Sequence, residues 1–182
     1  MSLLELPGNR VTLKILTSED AFLVQSFMIQ NRDHLAPWEP TREESAYELS
    51  AIQTRLTKSS ADYRAALAFH FAVIDNASGA MIGTCNFSNI VRGVFQACHL
   101  GYAISHTHQG KGLMSEAVEI GIMYMFDIVK LHRIMANYMP RNERSAKLLE
   151  KLGFEREGYA KSYLKIAGVW EDHILTSKIN PR

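Results

Sequence analysis

The sequence predicts a mixed α/β (α+β) fold, a largely antiparallel central sheet flanked by helices. Two observations carry this. Three strand-like runs follow one another with only short turns between them, which makes an antiparallel meander. Around it, the predicted order β–α–α–β–β–β–α–β–α–β–β lacks the repeating strand–helix alternation of an all-parallel sheet. A length of 182 residues, 47% of them apolar and 21% charged, suits a single globular domain over 1–182 with a proper core.

The elements follow in order. RVTLKIL (10–16) alternates Val11, Leu13 and Ile15 and reads as a strand. SEDAFLVQSFMIQN (18–31) reads as a helix with Thr17 or Ser18 as its cap and acids in the first turn. DHLAPWEP (33–40) is a loop stiffened by Pro37 and Pro40. Residues 41–58 open with Thr41 and Glu44 at capping-box spacing, which predicts a helix starting there. The meander is ALAFHFAVID (66–75), AMIGTCNFSNIV (80–91) and VFQACHLGYAIS (94–105). Residues 113–129 form a mostly buried helix, its polar Glu116, Glu119 and Asp127 confined to a narrow stripe. HRIMANYM (132–139) is a strand, and residues 140–154 hold a short helix stopped by Gly153. Two runs around Ala167–Gly168 close the chain as a hairpin.

Bulk properties exclude several classes. A net charge of +1 with no Lys/Arg-rich run leaves no driving force for direct, sequence-specific nucleic-acid binding. No apolar stretch is long enough to cross a membrane, and the opening MSLLELPGNR lacks the features of a signal peptide. Cys85 and Cys98 have no metal-site spacing, so no metal is expected, and a reduced, cytoplasmic protein is the simplest reading.

QGKGLM (109–114) links the last meander strand to the buried helix. Glycines spaced this way let backbone N–H groups converge on an anion at a helix N-terminus. A Walker A loop is excluded because Leu113 follows Gly112, and a dinucleotide fingerprint because Ser115 stands where the third glycine belongs. The alternative is a tight turn with no ligand.

LGYAISHTHQGKGLMSEA (100–117) and RIMANYMPRNERSAKLLEKLGFEREG (133–158) resemble the acetyl-CoA-binding core of the GNAT N-acetyltransferases. HLAPWEP (34–40), NFSNIVRG (86–93) and KLGFEREGYAKSYLKIAGVWEDH (151–173) resemble the RimJ/RimL group of ribosomal-protein N-terminal acetyltransferases, on the side that modifies an N-terminal alanine. The resemblance covers about residues 11–178. It implies the GNAT fold, acetyl-CoA as cosubstrate, and a ribosomal-protein N-terminus as acceptor. Association with the ribosome, and a monomer or homodimer, go with it. It also implies that pyrophosphate meets Gln109, Gly110, Lys111, Gly112, Leu113 and Met114, and that pantetheine runs along Tyr102, Ala103 and Ile104 like an added strand. One departure stands out: Thr107 occupies the family's long-side-chain position, so binding leans on backbone N–H groups.

In such a reaction a free amine attacks the thioester directly. An α-amine has a pKa of about 8, so a strong base is not needed. Glu39, in PWEP, and His99, in HLGY, are the candidate bases, with His70 a weaker third. Each has an ordinary structural reading: a solvated loop acid, or a hydrogen-bonded strand histidine. Asn142 and Ser145 match the family's Asn-x-x-Ser unit against the CoA arm, with Ser145 as proton donor to the leaving thiolate. Asn142 also sits where a helix N-cap belongs, and a bond to its own helix backbone makes it a cap. Trp38, Tyr138, Tyr159 and Tyr163 either line a peptide groove or simply pack. Cys98 reads as a small buried residue and not a nucleophile. Two rival functions remain. One is a polyamine or aminoglycoside acetyltransferase, kept open by Glu39, Glu43 and Glu44. The other is a non-catalytic acyl-CoA-binding assembly factor.

Overall fold

A computed structural model describes residues 3–181; Met1 and Ser2 of the opening segment lie outside the described residues. The strands are β1 (Leu4–Pro7), β2 (Val11–Ile15), β3 (Phe69–Asp75), β4 (Met81–Val91), β5 (Ala97–Ile104), β6 (Arg133–Tyr138), β7 (Glu155–Ile166) and β8 (Val169–Ile179). The helices are α1 (Ala21–Gln30), α2 (Arg32–Leu35), α3 (Leu49–Arg64), α4 (Leu113–Asp127) and α5 (Glu143–Lys151). The strands form one sheet in the order β1-β2-β3-β4-β5-β6-β8-β7. Every pairing is antiparallel except that of β5 with β6. The mixed, mostly antiparallel sheet therefore matches the expectation.

Side-chain alternation divides the sheet into two apolar faces. Leu13, Phe71, Phe87, Leu100 and Ile134 meet α4 in the larger core. On the other face Ala72, Ile74 and Met81 meet Val24 and Phe27 of α1 and Ile52 of α3 in a smaller one. Helix α4 comes very near the sheet at Gly121, where an added Cβ would lie 2.6 Å from the Phe87 ring.

Local signals set some boundaries. Thr17 and Asp20 close the expected cap before α1, with the Thr17 N–H donating to Asp20 Oδ2 at 2.9 Å. Gly153, at φ +77°, ends α5 with Phe154 N–H donating to the Leu149 carbonyl. Two expectations change. The helix predicted from Thr41 starts at Leu49 and runs on to Arg64. The Glu44 carboxylate is taken by Arg32 at 2.6 and 2.9 Å, so it cannot fold back to cap Thr41. The short strand β1, absent from the sequence reading, pairs along β2 and ends in Pro7 at the sheet edge.

Candidate active site

The parallel pairing of β5 and β6 lasts only three rungs, Ala97–Arg133, Cys98–Ile134 and His99–Met135. Both strands then continue without pairing with each other, β5 to Ile104 against β4 and β6 to Tyr138 against β8. The sheet forks there. Beyond His99 the β6-facing backbone edge of β5 has no strand partner, so an extended chain could pair with it. Tyr102, Ala103 and Ile104 lie on this stretch, where the Ile104 carbonyl also meets His34 Nε2 at 3.2 Å.

At the far end of the fork the chain turns through Gln109–Met114. Gly110 and Gly112 have φ of +71° and +75°, a conformation that costs other residues about 1–2 kcal/mol. Gly112 caps α4. The N–H groups of Leu113, Met114 and Ser115 therefore have no carbonyl one turn back and point out of the helix. These donors, with Lys111 beside them, fit a pyrophosphate. The turn is braced from two sides. Arg10 donates to the Lys111 carbonyl at 2.8 Å and pairs with Glu116 at 2.9 Å. Burial works to raise the Glu116 pKa, but the Arg10 bonds outweigh it and hold the carboxyl below its usual range. Arg144 of α5 donates to Gln109 Oε1 across the fork. Gln109 Nε2 also lies 3.0 Å from His34 Nε2, so its side chain bridges two elements besides any ligand role. Thr107 Oγ1 reaches only His108, 3.1 Å away, in keeping with a site built from backbone donors.

Ser145 reaches the fork from α5. Its Oγ lies 2.5 Å from the Tyr102 hydroxyl, which joins β5 to α5 over the open edge. Sequence reading marked both residues but not their contact, because they stand 43 positions apart. Burial raises the Tyr102 pKa, so its hydroxyl keeps its proton at neutral pH. Asn142 Oδ1 accepts the Ser145 N–H at 3.1 Å. By the criterion given above Asn142 is a helix cap, and its carboxamide oxygen is occupied in fixing Ser145; this corrects its expected contact with CoA.

His99 sits on the last paired rung, at the vertex of the fork. Its Nδ1 is buried with no hydrogen-bond partner among the described residues. Burial lowers the ring's pKa, so His99 is neutral at pH 7. On β5, Cys98, Leu100 and Tyr102 face the larger core. By strand alternation His99 and Gly101 face the opposite side. His99 and the Tyr102–Ser145 pair thus flank the fork from opposite faces.

On the His99 face a cleft of about 620 Å³ opens between the sheet and helices α1 and α3. Its floor includes His70 and Asn86, a cross-strand pair that continues sideways to Gly101. His70 ranked low in the sequence reading; burial lowers its pKa too, against the pull of Asp62. Glu39 lies in the cleft wall, but its carboxylate is held by Arg42 at 2.9 Å. No hydrogen bond or ion pair joins Glu39 to His99. The Glu39 carbonyl accepts the Ala167 N–H at 2.9 Å, which ties the proline loop to the β7–β8 turn. Arg141 stacks over Trp38 at 4.8 Å and reaches Glu171 at 3.2 Å, a second tie to the same hairpin. Tyr159 donates to Asp172 at 2.5 Å and serves the hairpin itself. Cys98 is fully buried, its thiol pushed up to about 12 by burial, which excludes a nucleophilic role.

Three comparisons give this geometry a context. The acetyltransferase (GNAT) domain model matches residues 10–155. The [ribosomal protein uS5]-alanine N-acetyltransferase of Escherichia coli is 47% identical over 176 residues, spanning 97% of this chain and 91% of that protein. The crystal structure of ribosomal-protein-S5-alanine acetyltransferase from Vibrio fischeri superposes with a TM-score of 0.93 at 45% identity, covering 98% of this chain and 97% of that one. RimJ of Mycobacterium smegmatis, solved in complex with CoA-disulfide, has a TM-score of 0.88 at 26% identity, covering 94% and 84%.

Proposed function

Because this chain belongs to the GNAT acetyltransferase family and is an acetyl-CoA-dependent N-acetyltransferase, we propose that it acetylates the N-terminal α-amine of a ribosomal protein, at alanine. The observation that carries this reading is the fork between β5 and β6. One end has a ready anion site at residues 109–114, and two proton-handling groups flank its vertex from opposite faces. The whole chain acts as one unit in the cytoplasm.

The bound thioester supplies an activated acetyl carbon. The peptide amine enters from the cleft face and attacks it; the C–N bond forms as the C–S bond breaks. The His99 imidazole takes the proton that the amine loses. Its free, neutral nitrogen suits this better than Glu39, whose carboxylate is engaged by Arg42. A backbone N–H on the open β5 edge meets the developing oxyanion. Ser145 Oγ gives a proton to the leaving thiolate as Tyr102 passes one to Ser145 and takes one from solvent, while His99 releases the amine's proton to solvent, so each group is restored. The amine arrives on one face of the sheet and the thiol proton comes from the other, so the two transfers do not compete.

Incubation with acetyl-CoA and a peptide beginning with alanine tests this, with free thiol and peptide mass both followed. Acetylation of the free peptide, and none when its N-terminus is blocked, is the expected result. Acetyl-CoA binding with no transfer to the peptide would overturn the peptide reading. The polyamine alternative is weakened, since two of its three carboxylates, Glu39 and Glu44, are paired with arginines.

A further inference from the structure

Within the cleft that receives the acceptor, cations and carboxylates are mostly matched. Arg42 holds Glu39 at 2.9 Å, and Lys58 holds Asp62 at 2.6 Å. Arg32 holds Glu44 at 2.6 Å, and Asp33 lies exposed at the rim. Arg55 is the exception. It projects from α3 into the cleft wall, half-buried, and its Nη2 donates to the Met28 thioether at 3.0 Å. No carboxylate lies within ion-pair distance of it among the described residues. A thioether is a weak acceptor, and a guanidinium carries five donors in a planar fork. Burial first, and then the neighbouring Arg42 cation, work against its charge, and Glu39 supports it only from beyond ion-pair distance, its carboxylate already held by Arg42. A partly desolvated cation of this kind gains most from a carboxylate, which its fork can bind through two oxygens.

We propose that Arg55 is a specificity residue that binds an acidic side chain of the acceptor peptide, located three to five residues from the acetylated amine. This rests on the peptide-acceptor reading above. The spacing follows from the sheet. Asn86 and Gly101 continue the His70 row towards the fork. At about 4.8 Å per strand, β3 lies roughly 10–14 Å from the open side of β5. An extended peptide covers that in about three or four residues at ~3.4 Å each, and a glutamate side chain adds reach. The cleft thus favours an N-terminal segment that carries an acidic residue a few positions after the amine.

The test uses the full-length protein and a set of alanine-initiated peptides, each with Glu or its isostere Gln at one of positions 2–6. The expected result is a kcat/KM about tenfold higher for Glu than for Gln at one of positions 3–5, carried by KM. Arg55→Met should abolish that ratio, and Arg55→Lys should retain part of it. Equal use of Glu and Gln peptides by the wild-type protein overturns this inference and leaves peptide acetylation standing. So does a Glu preference that survives in Arg55→Met. Acetylation of no peptide overturns the peptide reading, and this inference with it. The wild-type comparison needs no variant to fold, and an unchanged acetyl-CoA affinity checks the variants.

Discussion

His99 and the Ser145–Tyr102 pair are the two points where the proposed chemistry depends on single side chains. A histidine is a base only while neutral, and burial lowers the pKa of His99 from its ordinary 6.5. Its acid limb in kcat/KM therefore lies below about pH 6.5, while the amine's own limb lies near pH 8. Activity falls as pH drops through the first limb, because protonation removes the acceptor site. In His99→Gln a pH–rate profile should lose the lower limb, keep the upper one, and sit roughly 100-fold lower in kcat. An unchanged lower limb would assign that titration to another group, His70 first. Ser145→Ala should cost about 100-fold in kcat with little change in acetyl-CoA affinity, and Tyr102→Phe should cost less, because Ser145 still touches the thiol. Stopped-flow kinetics with equilibrium binding separates the two effects.

At the level of elements, helix α4 does double work: its first turn supplies the proposed anion site and its middle seals the larger core. Gly121 makes the close approach. Replacing a helical glycine with alanine normally gains about 1 kcal/mol from propensity. Here the added Cβ would sit 2.6 Å from the Phe87 ring, and overpacking costs about 1–3 kcal/mol. Overpacking wins, because Phe87 is itself fully buried and has nowhere to move. Gly121→Ala should lower the thermal midpoint by several degrees; a rise would show that the helix can shift away. Helix α5 was readable in advance, since Asn142 and Gly153 act on neighbours a few positions away. The start of α3 was not. Its apparent capping acid, Glu44, is drawn off by an arginine 12 positions back.

Across the whole molecule, the two cores support different halves of the site. The larger one lies under α4 and the fork, and the smaller one holds α1 and α3 over the proposed acceptor cleft. Ile52 is fully buried in the smaller core. Ile52→Val removes one methylene and costs about 1 kcal/mol. Steady-state kinetics should show a raised KM for the peptide and an unchanged KM for acetyl-CoA. Equal changes in both would mean that the two cores respond as one.

Sequence alone determined the parts whose causes are local or periodic: the meander, the glycine turn, the α5 cap and the mixed sheet. The glycine turn at Gln109–Met114 was a candidate on local pattern too, whereas Tyr102, His99 and Ser145 were candidates because their ordered blocks resemble the GNAT family. What only the tertiary structure decided were relations between distant positions. These are the forking of β5 from β6 after three rungs, the Tyr102–Ser145 contact, the pairing of Glu39 with Arg42 within the cleft, and Arg55 set against a thioether with no carboxylate at ion-pair distance among the described residues. Whether a charge is free or matched depends on which partners the fold brings within a few ångströms, and no local pattern records that distance.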